Sequence, residues 1–134
     1  MDTIVIDLII AWNSHDADRV AALYAEDYVG TDLAEAAPQR GREGIRQSMI
    51  RYFQAFPDVH FAVEDTIHNG KRIVLVWSVQ GTHTGPLLNI PPTGRRILVR
   101  GVSVLSLEAG KISRGLYVWD LAGLLRSMAL LPEL

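Results

Sequence analysis

The sequence predicts an α+β domain in which a curved antiparallel sheet wraps around helices and encloses a pocket. Apolar residues recur at helical spacing in the first half of the chain, whereas beyond residue 58 they alternate with a period of two. Helices followed by a long antiparallel meander are typical of folds in which the helices cover one face of a sheet. With 134 residues and no linker or internal repeat, residues 1–134 are expected to form one domain.

Two helices are expected first. The apolar positions of the first one are Ile4, Val5, Leu8, Ile9 and Trp12. Asp2 or Thr3 is available as its N-cap, and Asp16 can cap the second helix. The apolar positions of that second helix are Val20, Leu23 and Tyr24. The connection between the two is short, so they should pack as a lid-like pair.

A third helix follows a short strand. The strand is expected from Glu26 to Asp32, and a loop without periodicity then runs through Pro38 and Gly41. The helix after Gly41 should end before Pro57, which cannot continue it. Its apolar positions are Ile45, Met49, Tyr52, Phe53 and Phe56. Three of the five are aromatic.

The second half of the chain predicts four strands and a closing helical segment. Asn69-Gly70 is a strong hairpin signal. It separates a strand with Val59, Phe61, Val63 and Ile67 on one side from a strand with Ile73, Leu75, Trp77 and Val79 on one face. Two further strands are expected over Arg96–Leu107 and Lys111–Asp120, joined by a turn at Glu108-Ala109-Gly110. The closing segment carries Leu121, Leu124, Leu125 and Met128.

Composition excludes several classes of function. The formal net charge is −2 and no basic patch stands out, which argues against nucleic-acid binding. The absence of cysteine removes disulfides, thiolate zinc sites and cysteine nucleophiles. The four histidines lack metal-ligand spacing, and no phosphate loop is present, so neither metal nor cofactor is expected. Without a signal peptide or membrane-spanning run, a cytoplasmic protein is the default expectation.

Asp120 is the leading candidate for a catalytic group. In the last strand it shares parity with Ile112, Leu116 and Val118, an apolar face. Burial of a carboxylate favours its neutral form, which suits a general acid or base. Alternatively, Asp120 could simply cap the closing helix that starts at Leu121.

Two further residues carry paired interpretations. His83 could enter the pocket at its rim and shuttle protons, or its ring could hydrogen-bond the proline-rich loop and stabilise that turn. Asp32 could supply a polar group to the pocket from the end of the first strand, or it could be a surface turn residue.

An apolar and aromatic lining is expected around the ligand. The candidate substrate-binding residues are Trp12, Tyr28, Asp32, Tyr52, Phe53, Phe56, Trp77 and Val118. Tyr24 and Phe61 could add to an aromatic wall, although core packing explains most of these rings equally well. The sequence leaves open whether Trp77 or Trp119 lines the pocket.

Several local strings resemble one known family. They are Gly41-Arg42-Glu43-Gly44-Ile45, Phe56-Pro57-Asp58, Gly81-Thr82-His83-Thr84-Gly85, Pro91-Pro92-Thr93-Gly94-Arg95, Gly110-Lys111-Ile112-Ser113, and Trp119-Asp120 before Leu124-Leu125. In this order they resemble the SnoaL-like polyketide cyclase family, within the NTF2-like superfamily of cone-shaped α+β folds.

The resemblance implies both a reaction and a site. The family's cyclases close a polyketide ring by intramolecular aldol condensation without metal or cofactor, using an acid/base Asp that falls on Asp120. It also implies a homodimer formed through the outer sheet face. The chain departs from the pattern, because residues 28–32 contain no Asn or His and no His stands near Leu105 and Ser106.

Other functions stay open from sequence. An epoxide hydrolase would need Asp120 with Asp65 or Asp32, and Arg100 or Arg114 between the carboxylates. A cofactor-free oxygenase could use the same pocket. A protein that binds a hydrophobic small molecule without turning it over is the alternative of a different class.

Overall fold

The computed structural model describes residues 3–133 and contains four helices and six strands within that range. The helices are α1 (Thr3–Asn13), α2 (Ala17–Ala21), α3 (Gly41–Ala55) and α4 (Leu121–Ser127). The strands are β1 (Tyr24–Asp32), β2 (Gln39–Arg40), β3 (His60–His68), β4 (Arg72–Thr82), β5 (Arg96–Glu108) and β6 (Lys111–Trp119). The predicted α+β class with three helices in the N-terminal half is confirmed.

One sheet in the order β2-β1-β6-β5-β4-β3 carries the whole domain. Every neighbouring pair is antiparallel except β1 and β6, which run parallel. The sheet is therefore mixed rather than purely antiparallel as predicted. The chain forms β2 to β5 after β1, and β6 then enters the sheet between β5 and β1, parallel to β1. Within residues 3–133 no helix is long and apolar enough to cross a membrane.

Helices cover one face of the sheet, here called the inner face. α1 contacts β3, α3 contacts β1, and α4 contacts β5. Val5, Leu8 and Ala11 of α1 and Ile45 and Met49 of α3 are buried against strand residues. Burial of these apolar side chains against the sheet, rather than helix propensity alone, stabilises such short helices.

The N-terminal elements differ in detail from prediction. α2 ends at Ala21, and Tyr24, expected on that helix, begins β1. Asp16 caps α2 as predicted, because its side chain accepts the backbone N–H groups of Asp18 and Arg19. The predicted capping role of Asp2 lies outside the described residues, and Thr3 is the first residue of α1.

Two β-bulges shift strand parity, and both overturn an expectation. The register of β3 shifts between Val63 and Asp65, so Ile67 lies on the outer face and is 63% exposed instead of sharing the side of Phe61. In β6 the register shifts opposite Ser106 and Leu107, so Ser113 is the extra residue. A bulge of one residue reverses which face every later residue occupies.

Candidate active site

The helices and the inner face enclose a cavity of about 120 Å³. Its aromatic lining residues are Trp12, Tyr24, Tyr52, Phe56, Phe61, Trp77, Tyr117 and Trp119. Only a few polar side chains, Asp32, Gln39 and Ser103 among them, join this lining. A mostly apolar cavity with a few placed polar groups is typical of a site for a hydrophobic small molecule.

Asp32 is the only carboxylate that lines the cavity among the described residues. It lies at the end of β1 and is 7% exposed. Its Oδ1 accepts the indole N–H of Trp119 at 2.8 Å and the backbone N–H of Ala34 at 2.9 Å. No hydrogen bond within residues 3–133 reaches Oδ2. The interpretation of Asp32 as a surface turn residue is therefore wrong. Its side chain does accept the Ala34 N–H within the turn, but it is buried and borders the cavity.

Glu35 and Arg51 form an ion pair next to this carboxylate. Arg51 Nη2 donates to Glu35 Oε1 at 2.9 Å, and Arg51 also donates to Ser48 Oγ at 3.3 Å. Burial raises the pKa of Glu35, and the nearby charge of Asp32 raises it further, whereas Arg51 lowers it. The same two carboxylates, after burial itself, raise the pKa of the Tyr52 phenol.

Three tyrosines and a glutamine form a hydrogen-bonded group at the β1 side of the cavity. The Tyr28 hydroxyl donates to Gln39 Oε1 at 2.9 Å and lies 2.5 Å from the Tyr117 hydroxyl. Because the Tyr28 hydroxyl donates its one hydrogen to Gln39, it accepts in the second bond and Tyr117 is the donor. Burial is the main cause that raises the pKa of Tyr24, Tyr28 and Tyr117, so these phenols stay protonated at neutral pH.

A second indole holds a hydroxyl on β5. Trp77 Nε1 donates to Ser103 Oγ at 2.8 Å, and both residues line the cavity. Ser103 is 6% exposed. Trp77 and Trp119 therefore both face the ligand space, which the sequence could not decide.

Asp120 does not lie in the cavity lining. Its side chain is exposed and accepts the backbone N–H of Gly123 at 2.8 Å, so it caps α4. Val118 is 43% exposed and likewise absent from the lining. The expected orientation of both is wrong, because the bulge at Ser113 turns Tyr117 and Trp119 inward and leaves the alternate residues outside.

His83 is fully buried but outside the cavity lining. Its Nδ1 accepts the backbone N–H of Thr93 at 3.2 Å and lies 2.9 Å from the Thr93 hydroxyl. This contact with the proline-rich loop agrees with the structural alternative. Burial lowers the pKa of His83, partly offset by the backbone of Gly85.

The remaining candidate residues divide into two groups. Trp12, Tyr52, Phe56 and Trp77 line the cavity, and their role in substrate binding stays a prediction. Tyr28 is fully buried behind Tyr117, and Phe53 packs edge-on against Trp12 outside the lining. The distinction depends on which side of α3 or β1 faces the ligand space, and helical spacing alone does not show this.

Of the residues proposed for epoxide hydrolysis, Asp32 lines the cavity, whereas Asp120, Asp65, Arg100 and Arg114 do not. Asp65, Arg100 and Arg114 are exposed, and Arg100 pairs with Glu64 at 2.7 Å. No group of three or more His, Cys, Asp and Glu side chains within residues 3–133 is arranged to hold a metal ion.

Sequence reasoning missed three residues that bring polar groups to the cavity, Gln39, Ser103 and Tyr117. A signal for Ser103 existed, since it shares strand parity, and therefore the inner face, with the buried Ile97, Val99 and Leu105 of β5. Tyr117 was assigned to the wrong face with the rest of β6. Gln39 belongs to β2, but the sequence there shows no periodicity and was expected to be a loop, so no pattern predicts the direction of its side chain.

Comparisons with known proteins agree on one family. The sequence model of the SnoaL-like polyketide cyclase family matches residues 4–128. The curated relative DauD, an aklanonic acid methyl ester cyclase of Streptomyces sp. (strain C5), is 26% identical over 107 residues. That match covers 78% of this chain and 66% of DauD, so the chain spans just under two thirds of that relative.

Solved structures share the architecture. TsrD from Streptomyces laurentii superposes with a TM-score of 0.85 at 25% identity, over 98% of this chain and 99% of TsrD. A protein with a ketosteroid isomerase-like fold from Catenulispora acidiphila DSM 44928 superposes with a TM-score of 0.84 at 20% identity, over 98% and 95% of the two chains. The second similarity concerns the fold alone.

Proposed function

Because this chain belongs to the SnoaL-like polyketide cyclase family, we propose that it is an enzyme that performs cofactor-independent acid/base chemistry on a polyketide-like or other hydrophobic cyclic carbonyl compound. The observation that carries the proposal is Asp32, a carboxylate in an apolar cavity with one oxygen held and the other without a partner in the described chain. The cyclase activity of DauD supports ring closure as the reaction class.

The chemistry needs only proton transfer. Asp32 Oδ2 takes a proton from a carbon next to a carbonyl, and the electrons of that C–H bond move onto the carbonyl oxygen as an enolate. The enolate carbon then forms a C–C bond with a second carbonyl of the same molecule, whose oxygen recovers the proton. The product is an isomer of the substrate, so no oxidant or reductant is consumed.

Trp119 and Ala34 give Asp32 a defined orientation. Their N–H groups both bind Oδ1, which directs the carboxylate plane and leaves Oδ2 for the ligand. The aromatic walls exclude water and match a flat ring system. A base held in this way is preorganised for proton abstraction.

The test uses β-tetralone, a flat bicyclic ketone with exchangeable hydrogens next to its carbonyl. In D₂O the protein should accelerate hydrogen–deuterium exchange at those carbons above the buffer rate, as followed by proton NMR. Asp32→Asn should lower the enzymatic rate by about 100-fold or more, the usual contribution of a general base. Asp27→Asn, an exposed aspartate on the same strand, is the matched control.

Two results would reject the proposal. The first is exchange by the unaltered protein no faster than buffer while β-tetralone binds, which would indicate ligand binding without turnover. The second is loss of exchange in Asp120→Asn with retention in Asp32→Asn, which would restore the sequence-based assignment.

A further inference from the structure

Several hydrogen-bond donors that line the cavity are already used within the protein. The indole N–H groups of Trp119 and Trp77 bind Asp32 and Ser103. Tyr117 donates to Tyr28. A ligand carbonyl that enters the cavity cannot take a hydrogen bond from these groups without breaking an existing one.

Ser103 differs from these groups because its donor is unused. Its Oγ accepts the indole N–H of Trp77 at 2.8 Å, so its own hydrogen must point elsewhere. Within residues 3–133 no acceptor receives that hydrogen. Ser103 is 6% exposed and lines the cavity, so the ligand space is where an acceptor would be met.

Ser103 and Asp32 lie in one row across the sheet. Asp32 of β1 pairs with Tyr117 of β6, and Tyr117 pairs with Ser103 of β5. Residues paired in this way point to the same face, and adjacent strands are about 4.8 Å apart, so the backbones of Asp32 and Ser103 are separated by about 10 Å. All three side chains border the same cavity.

This separation matches the reaction proposed above. A contact of about 3 Å from the carboxylate to the reacting carbon, two covalent bonds to the carbonyl oxygen and a hydrogen bond of about 2.8 Å together span about 8 Å. The sheet is concave on its inner face, so the side chains of Asp32 and Ser103 are closer together at their tips than at their backbones. This accounts for the difference between about 10 Å and about 8 Å.

We infer that the Ser103 hydroxyl, oriented by the Trp77 indole, is the hydrogen-bond donor to the substrate carbonyl oxygen that becomes negatively charged when Asp32 removes the proton. The inference rests on the proposed function. Ser103 keeps its own proton throughout, and the proton that leaves carbon goes to Asp32. Its contribution is to stabilise charge that develops in the transition state.

The experiment combines two measurements on bound β-tetralone. Infrared difference spectroscopy reports the carbonyl stretch, which a hydrogen-bond donor moves to lower frequency. Ser103→Ala should remove that shift and lower the exchange rate by about 100-fold, the order of magnitude for loss of one such donor. Ser103→Thr keeps a hydroxyl and should retain both, and Ser106→Ala, on the same strand with outward parity, is the matched control.

Loss of Ser103 also leaves the Trp77 N–H without an acceptor, so Ser103→Ala could fold poorly. Ser103→Cys then serves in its place, because a thiol fills the site but is a weak donor. The same loss of the carbonyl shift and of rate is expected.

The competing donors are Tyr52 and Trp12. The Tyr52 hydroxyl and the Trp12 indole N–H have no hydrogen-bond partner within residues 3–133, although both side chains line the cavity. If Tyr52→Phe or Trp12→Phe abolishes the carbonyl shift and Ser103→Ala does not, the inference is overturned. Retention of exchange and shift in Ser103→Ala and Ser103→Cys, with exchange still dependent on Asp32, also overturns it while leaving the proposed function intact. Exchange by the unaltered protein no faster than buffer, while β-tetralone binds, would instead reject the proposed function.

Discussion

At the residue scale, the decisive feature is how one carboxylate is held. Asp32 accepts an indole N–H from a strand 87 positions away in sequence. Trp119→Phe keeps an aromatic ring but removes this bond, so we expect exchange on β-tetralone to fall about tenfold, since a hydrogen bond to a charged group contributes about 1.5 kcal/mol. Melting temperature measured in parallel should fall by about 5 °C, because the ring still packs but the buried hydrogen bond is lost, and the variant should stay folded under assay conditions. An unchanged exchange rate would mean that Trp119 does not orient the base.

The same scale separates the two roles considered for Asp120. Its carboxylate caps α4 through the N–H of Gly123. Asp120→Ala should therefore lower the free energy of unfolding by about 1 kcal/mol, the usual cost of losing an N-cap. Urea denaturation measures this, and Asp120→Ser, which can still cap the helix, should recover most of the loss. Equal destabilisation by both variants would contradict a capping role.

His83 gives a pH dependence whose sign follows from its burial. Its pKa in the folded protein lies below the ordinary value of 6.5, so the unfolded chain binds more protons in that range. The stabilisation from neutral His83 is complete above pH 6.5 and is lost as the pH falls from there towards the lower folded pKa.

Thermal unfolding followed from about pH 7 to about pH 5 tests this dependence. His83→Asn should be less stable at every pH but should lose less stability on acidification than the unaltered protein. His60→Asn, at an exposed histidine, should keep the original pH dependence. If acidification weakens the His83 variant just as much, another group controls the response.

At the element scale, patterns with one dominant signal predicted the structure well. Helical spacing predicted α1 and α3, and Asn69-Gly70 predicted the hairpin between β3 and β4. The face of β6 could not be predicted, because Leu116 and Val118 are as apolar as a buried face and the bulge at Ser113 leaves no clear mark in the sequence. The role of Asp32 was underestimated for a related reason: an Asp near a turn looks the same whether the turn covers a cavity or faces solvent.

The strands also depend on a residue without a side chain. Gly101 of β5 lies between Trp77 of β4 and Trp119 of β6, its direct partners in the sheet. A Cβ there would overlap the Trp77 ring and approach Trp119 Cβ at 2.8 Å. Both indoles that hold the polar groups of the cavity therefore need this glycine.

Gly101→Val should displace these rings, and overpacking of this kind costs about 1–3 kcal/mol of stability. Tryptophan near-ultraviolet circular dichroism should change, and β-tetralone binding should weaken. Gly110→Ala is the comparison for a glycine away from the cavity. Its φ of +77° strains an alanine there and lowers stability, but a Cβ at that turn meets no atom within 4 Å and so leaves both indoles in place. Native circular dichroism and binding in Gly101→Val would show that the two indoles do not require the space.

At the scale of the whole molecule, the two faces of the sheet differ in role, one for the cavity and the other, we expect, for contact with a partner. The inner face forms the cavity, whereas the outer face carries a grid of six apolar side chains from β4, β5 and β6. Its two rows are Val76, Val102 and Val118, and Val74, Val104 and Leu116. Leu116 and Val118 are 38% and 43% exposed, and a contiguous apolar patch of this kind is typical of an interaction surface.

We expect this grid to form the interface of a homodimer, as the family resemblance implies, because a twofold interface brings the same patch of both subunits together. Analytical ultracentrifugation at tens of micromolar should then give about twice the chain mass of 14.8 kDa. Val102→Glu places a charge at the centre of one row and should give a monomer with an unchanged fold by circular dichroism. Ile10→Glu, at an exposed apolar position on α1, should remain dimeric. A monomer in the unaltered protein, or a dimer that survives Val102→Glu, would mean that the outer face is not the interface.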